Sequence, residues 1–158
     1  MRILGVDPGL RICGYGVIDS CHSSLKLVEA GIVTTDSSQK IEQRLNKIQR
    51  SFKELILQTK PKVLVLEKLY SHYRHPTTAC ILGHARGVIC SLCGEYNIEL
   101  IEYSATRIKK AIVGRGHAGK LQIKGMIRRM FNIDTASFAT DVTDALALAV
   151  AHTRIGKT

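Results

Sequence analysis

The chain has few acidic residues and no long apolar run, and each absence limits the kinds of partner and location that the protein can have. Asp and Glu number 13 against 23 Lys and Arg, which gives a net charge of +10. That imbalance argues for a polyanionic partner, with nucleic acid first and an acidic protein or membrane surface second. A basic protein without a special partner remains the plainer alternative. Because no run of eighteen apolar residues and no signal-peptide pattern occurs, we expect a soluble, cytoplasmic protein without a membrane partner.

The cysteines lack the pairing that a disulfide framework would need. They are odd in number and scattered, at Cys13, Cys21, Cys80, Cys90 and Cys93. This usage fits a reducing compartment. Cys90 and Cys93 have the spacing of half a zinc site, but no second pair accompanies them, so we assign them to core packing.

Repeats, low-complexity tracts and linkers are also missing. With 158 residues, 45% of them hydrophobic, the chain is long enough for one substantial core and too short for two. We therefore expect a single domain over residues 1–158.

Short apolar runs and helical periodicity alternate along the chain. The runs predict strands at 2–7, 14–19, 26–34, 63–67 and 98–103. Apolar residues at helical spacing predict helices at 39–59, 76–94, 104–112, 120–131 and 140–154. In the first helix the apolar stripe comprises Ile41, Leu45, Ile48, Phe52, Leu55 and Ile56, and Pro61 is expected to end it. The order predicts an α/β fold, with a five-stranded mixed sheet flanked by helices on both faces.

Four carboxylates lie where predicted apolar elements end or begin: Asp7, Glu67, Asp141 and Asp144. Acids in such places are costly unless a cation compensates them. Asp7 and Glu67 would be neighbours if the first and fourth strands pair. Asp141 and Asp144 are three residues apart and would share one face of the last helix. Taken singly, Asp141 could be a helix N-cap or first-turn acid and Asp7 a turn former. Taken together, the four predict a site for divalent metal ions and phosphate.

Between residues 104 and 131 the chain carries eight cations and no acid. They are Arg107, Lys109, Lys110, Arg115, Lys120, Lys124, Arg128 and Arg129. A solvated helix face would usually alternate the sign of its charges. The glycine-rich loop 114–119 would let the backbone approach phosphates closely. A phosphate-binding surface is the favoured interpretation, with an ordinary solvated face as the alternative.

Five segments resemble, in order and spacing, the RuvC-type Holliday junction resolvases. They are ILGVDPGLRICGYGVID, VLVLEKLY, GHARGVI, SATRIKKAIVGRGHAGKLQI and DVTDALALAVAH. The resemblance covers nearly the whole chain. It implies a ribonuclease H-like fold and a homodimer that cuts four-way DNA junctions by symmetric paired nicks, in recombination and repair. It further implies magnesium, or manganese in its place, and partners of the RuvA and RuvB kind.

The resemblance also assigns roles to individual residues. Asp7, Glu67, Asp141 and Asp144 match the metal-binding, catalytic acids of the family. Lys109 and Lys120 match lysines near the scissile strand, and we place Lys110 and Arg115 with them on the DNA surface. Tyr70 matches an aromatic position that stacks on a base, although Phe is more usual there; a half-buried loop residue is the alternative. Segment 71–76 departs from the family pattern, but Arg74 in it suits a phosphate contact.

The apolar residues of the predicted helix 76–94 spread over more than one face. Periodicity alone favours burial within the monomer, whereas the resemblance favours a second subunit on part of this helix. Two other functions remain open, a non-catalytic junction-binding module and a ribonuclease H-like nuclease with a different substrate.

Overall fold

The computed structural model describes residues 1–21, 24–69, 76–133 and 139–156. These residues form strands β1 (Arg2–Asp7), β2 (Ile12–Cys21), β3 (Ser24–Thr34), β4 (Val63–Glu67) and β5 (Glu99–Tyr103). The helices are α1 (Ile41–Thr59), α2 (Pro76–Glu95), α3 (Ala105–Val113), α4 (Lys120–Phe131) and α5 (Thr140–Ile155). Each predicted element is present, with its ends within two residues of the predicted ones.

One mixed sheet carries all five strands, in the order β3-β2-β1-β4-β5. Strands β1, β2 and β3 form an antiparallel meander, and β4 runs parallel to β1 and to β5. The predicted pairing of the first and fourth strands is thus confirmed. We call the end of the sheet at which β1, β4 and β5 terminate the site end, and the opposite end the far end.

Alternation along the strands builds a core on each face of the sheet. Ile3, Val63 and Val65 pack with α3, α4 and α5, whereas Leu4 and Leu64 pack with α1 and α2. Successive strand side chains point to opposite faces. The same alternation directs the next odd-numbered residues of β1 and β4, which are acids, towards the α5 face.

Helix α1 buries most of its predicted stripe. Ile48 and Phe52 are fully buried, with Leu55 and Ile56 nearly so. Ile41 was wrongly assigned to the stripe, since it is 40% exposed. It is the first helical residue, and the core against which α1 packs begins one turn later, at Leu45.

Three glycines bring helix α5 into contact with the main chain of β1 and β2. A Cβ atom on Gly5 would lie 2.0 Å from the carbonyl oxygen of Ala145, and one on Gly14 would lie 2.1 Å from that of Asp141. On Gly16 it would lie 2.5 Å from a methyl carbon of Leu146. No side chain larger than hydrogen fits at these positions, which is why α5 can lie so deep.

Among the described residues, no helix combines the length and the apolar character that crossing a bilayer requires.

Candidate active site

A pocket of about 320 Å³ opens at the site end of the sheet, between the strand ends and helices α3, α4 and α5. Its lining comprises Asp7, Glu67, Ala105, Ile108, Lys109, Lys120, Ile123, Asp144, Ala147 and Leu148. Three of the four predicted acids and two of the predicted lysines therefore meet in one cavity with apolar walls.

The pairing of β1 with β4 places Asp7 beside Glu67. The parallel ladder ends with Val6 opposite Leu66, so the acids are the next residue on each strand. Adjacent parallel strands lie about 4.8 Å apart. Both carboxylates therefore leave the sheet on the same face and at the same end.

Helix α5 supplies the other two acids from above the sheet. Its N-cap is Ala139, so Asp141 is a first-turn acid and not the cap. Asp144 follows three residues later, on the same helix face. A Cβ on Gly14 would lie 2.8 Å from the Cβ of Asp141, and Gly14 is the ladder partner of Asp7. The close packing of α5 thus sets Asp141 over the strand next to Asp7.

Burial and mutual repulsion raise the pKa values of two of these acids. Burial, followed by the charges of Asp144, Asp141 and Glu67, raises the pKa of Asp7 to about 7. Loss of hydration and then the charge of Asp144 raise the pKa of Glu67, although much of its side chain is exposed. Lys120 opposes both shifts. The site therefore holds more negative charge than its own lysines compensate.

Two lysines border the acids from α3 and α4. Lys120 Nζ donates to Asp144 Oδ2 across 3.4 Å, and its side chain is 77% exposed. Such a long, solvated contact is weak, so the ammonium group is free to turn towards a phosphate. Lys109 lines the pocket beside it. Lys110 and Arg115 are exposed and do not belong to the pocket lining.

Two of the predicted DNA-binding residues, Tyr70 and Arg74, lie outside the described residues. Their predicted roles rest on the sequence.

Arg86 is a residue near the site to which the sequence analysis gave no role. It lies in α2, is 8% exposed, and donates from Nη1 to the carbonyl oxygen of Glu67 at 2.8 Å. Nη2 forms an ion pair with Glu102 of β5. The signal was available, because an arginine between Ala85 and the apolar residues at 88 and 89 interrupts a buried stripe.

The donor set suits a hard cation. Within the described ranges, no group of three or more His, Cys, Asp and Glu side chains is arranged to hold a metal ion by itself. Magnesium in nuclease-type sites commonly takes only one or two carboxylates, and waters and substrate phosphates complete its shell. The site offers oxygen ligands with excess negative charge, which fits that mode of binding.

Comparison with known proteins gives one consistent family. The family model described as crossover junction endodeoxyribonuclease RuvC matches residues 3–152. A protein of that name from Alkaliphilus oremlandii is 36% identical over 99% of this chain and 94% of its own length. The corresponding protein from Rhodopirellula baltica is 37% identical over 94% of this chain and 83% of its own.

Solved structures agree in fold. RuvC of Thermus thermophilus in complex with a Holliday junction substrate is similar with a TM-score of 0.93 and 25% identity, over 99% of this chain and 95% of that one. The yeast mitochondrial Holliday junction resolvase is similar in fold with a TM-score of 0.70 and 14% identity, over 96% and 77% of the two chains. The predicted five-stranded mixed sheet of the ribonuclease H-like resolvases is thereby confirmed.

Proposed function

This chain belongs to the RuvC family of crossover junction endodeoxyribonucleases, and we propose that it resolves four-way DNA junctions by paired symmetric nicks. The reaction is metal-assisted phosphodiester hydrolysis, in homologous recombination and DNA repair. One observation carries the proposal: the pocket at the site end gathers acids from three separated segments and lysines from two helices. The Thermus thermophilus protein, which is similar over almost the whole chain, was solved with a Holliday junction substrate.

The proposed ligands of magnesium are Asp7, Glu67, Asp141 and Asp144, and manganese is proposed to substitute for magnesium. When bound, the metal would stabilise charge on the transferring phosphoryl group and lower the pKa of the attacking water. Burial and then the neighbouring acids raise the pKa of Asp7 to about 7, and a divalent cation would neutralise the acids' charge. Without a metal, the acids would repel the negative charge of a phosphate, so metal and substrate would complete the site together.

The lysines act on the substrate side of the pocket. Lys109 and Lys120 face the cavity and would neutralise the scissile phosphate and its neighbour. Exposed Lys110 and Arg115 would contact the backbone further along the same strand. Tyr70 is proposed to stack on a base at the junction centre, and Arg74 to bind phosphate.

The proposed enzyme is a homodimer, because paired nicks on a two-fold symmetric substrate call for two equivalent sites. Helix α2 offers a surface for this. Its inner side packs in the core through Ala85, Ile89 and Leu92. Ile81, one turn before Ala85 on the same side, is 38% exposed, and Gly87 on the opposite side is also exposed. Residues 1–158 would form one nuclease domain that acts in the cytoplasm with branch-migration proteins of the RuvA and RuvB kind.

The test uses a synthetic four-way junction and a linear duplex of the same sequence, with and without magnesium. The wild-type protein should nick the junction symmetrically, only with metal, and leave the duplex intact. Asp7→Asn should reduce cleavage by about 1,000-fold, since losing about 4 kcal/mol of transition-state stabilisation has that effect. It should still bind the junction in a gel-shift assay, because the basic surface is unchanged.

Other outcomes would contradict the proposal in distinct ways. Binding without cutting, in both magnesium and manganese, would indicate a junction-binding module. Equal cutting of the linear duplex would indicate a nuclease with a different substrate.

A further inference from the structure

Arg86 is a buried cation that apolar packing alone does not explain. It is 8% exposed and lies on α2 beside Ala85, which is fully buried, and one turn before Ile89. Burying a guanidinium group costs several kcal/mol, and an ion pair often only offsets that cost. An apolar side chain would pack here at least as well, so the arginine calls for a role that an apolar residue could not fill.

The contacts of Arg86 converge on the strand end that carries Glu67. Nη1 donates to the carbonyl oxygen of Glu67 at 2.8 Å, and Nη2 pairs with Glu102. Glu102 lies opposite Leu66 in the β4–β5 ladder, one residue before the partner of Glu67. A planar guanidinium fork can hold a carbonyl and a carboxylate at fixed angles, which a lysine ammonium cannot.

Glu67 lies where the support from β1 stops. Its strand pairs with β1 only as far as Leu66, whereas the pairing with β5 continues through Glu67 and Tyr103. The Glu67 side chain points into the pocket on the α5 face, where Asp144 repels it. On the opposite face of the sheet, Arg86 of α2 hydrogen-bonds the main chain of Glu67.

We infer that Arg86 is a positioning residue for Glu67, with Glu102 as the carboxylate that orients its guanidinium group. The inference rests on the proposed function, because it takes Glu67 to be a metal ligand. Arg86 holds the end of β4 against the repulsion within the acidic site. It thereby presents the Glu67 carboxylate to the metal without touching the metal or the substrate.

The molecule contains a matched control at the far end of the sheet. Arg2 donates from Nη1 to the carbonyl oxygen of Thr59 at 2.7 Å and forms a fork with Asp19. Like Arg86, it joins the carbonyl oxygen of the last residue of a helix or strand to a carboxylate on a neighbouring strand. It lies at the other end of β1 from Asp7, so its loss should affect folding and not the site.

The experiment compares Arg86→Lys, Glu102→Gln and Arg2→Lys with wild type. Arg86→Lys should lower the turnover of junction cleavage about 10- to 100-fold, as loss of a ligand-orienting group commonly does, with junction affinity unchanged. Glu102→Gln keeps an acceptor oxygen and should lower turnover less. Arg2→Lys should leave turnover unchanged.

Two readouts need no catalysis. In metal-free protein, the Lys68 amide, which donates to Tyr103 O, should exchange its hydrogen faster in Arg86→Lys than in Arg2→Lys. Calorimetric titration with Mn²⁺ should show binding weakened by about 10-fold in Arg86→Lys, by less in Glu102→Gln, and not at all in Arg2→Lys.

The inference is overturned if Arg86→Lys matches Arg2→Lys in turnover, Mn²⁺ affinity and Lys68 exchange. It is also overturned if turnover falls while Mn²⁺ affinity and exchange stay at wild-type values. Should Arg86→Lys fail to fold, Glu102→Gln, whose side chain is 42% exposed, decides by the same readouts. If wild type does not cut junctions, the proposed function fails, yet metal affinity and exchange still test the role of Arg86.

Discussion

The hairpin of β1 and β2 carries an aspartate at each end, and the two have opposite surroundings. At the far end, Asp19 is the ladder partner of Arg2 and accepts two hydrogen bonds from it, at 3.0 and 2.8 Å. These bonds, and then the Arg2 charge, lower the pKa of Asp19. At the site end, Asp7 has glycine as its ladder partner and acids around it, and its pKa is raised to about 7.

The contrast separates a carboxylate that stabilises the fold from one that belongs to the site. One ladder, in one sheet, holds a carboxylate that stabilises the fold and another that destabilises it. Destabilising groups such as Asp7 are common in sites that bind a ligand. Replacing the aspartate at each end by asparagine should therefore change stability in opposite directions.

The largest effect should come from filling the space at the site end with Gly14→Ala. The added methyl group would meet the main chain of Asp141, so α5 must shift away from the sheet. We expect a loss of about 3 kcal/mol in the free energy of unfolding and a marked loss of junction cleavage. Urea denaturation and the cleavage assay measure the two effects.

Gly125→Ala in α4 is the control for Gly14→Ala, because a Cβ there meets nothing within 4 Å. It should stabilise the protein by up to about 1 kcal/mol through helix propensity. Equal effects of the two substitutions would contradict the close packing of α5.

A smaller effect of opposite sign is expected from Asp7→Asn in metal-free buffer. Since the folded-state pKa is raised, ionisation of Asp7 penalises folding above its ordinary pKa of 3.8, and the penalty is complete above about 7. The variant should be more stable than wild type by about 1–3 kcal/mol at pH 8. The difference should shrink as the pH falls to 5, and denaturation in EDTA at both pH values measures it. A gain that does not depend on pH would exclude charge repulsion as its cause.

The smallest effect should be that of Asp19→Asn. Arg2 and Asp19 are each about one-third exposed, so water screens the pair and the loss should stay below about 1 kcal/mol. Because the pKa of Asp19 is lowered, its contribution is present above the ordinary pKa and disappears as the pH falls through the lowered value. Denaturation at pH 7 and at pH 3 compares the two conditions. A stability gain at pH 7, like that of Asp7→Asn, would remove the distinction between the two ends.

The sequence predicted the elements well because their apolar periods are strong. The apolar run from Val63 to Leu66 predicted a strand, and its pairing with β1, which the prediction required, sets Glu67 beside Asp7. The end of α1 at residue 59, predicted from Pro61, is confirmed, and the C-cap Lys60 adopts a left-handed conformation with φ of 50°. A residue preceding proline avoids the helical region, so the stop falls before the proline itself.

Features that depend on register could not be predicted. Gly5 and Gly16 become partners only once the pairing of β1 with β2 is fixed, and only then does their shared function under α5 emerge. Arg86 likewise meets Glu102 across two elements that sequence spacing does not relate. Charge alone predicted the lysines of α3 and α4 only as a basic surface; the family resemblance singled out Lys109 and Lys120, which line the pocket.

The contact between α5 and the glycines also defines how the site tolerates change elsewhere. Where Gly14 meets Asp141, main chain rests on main chain, and the backbone has no rotamers to exchange. The distance between helix α5 and the β1–β2 hairpin is therefore fixed by main-chain atoms and not by side-chain packing. Conservative replacement of Leu146 or Val150 would repack the core around that contact. The distance from Asp141 and Asp144 on α5 to Asp7 on β1 would stay the same.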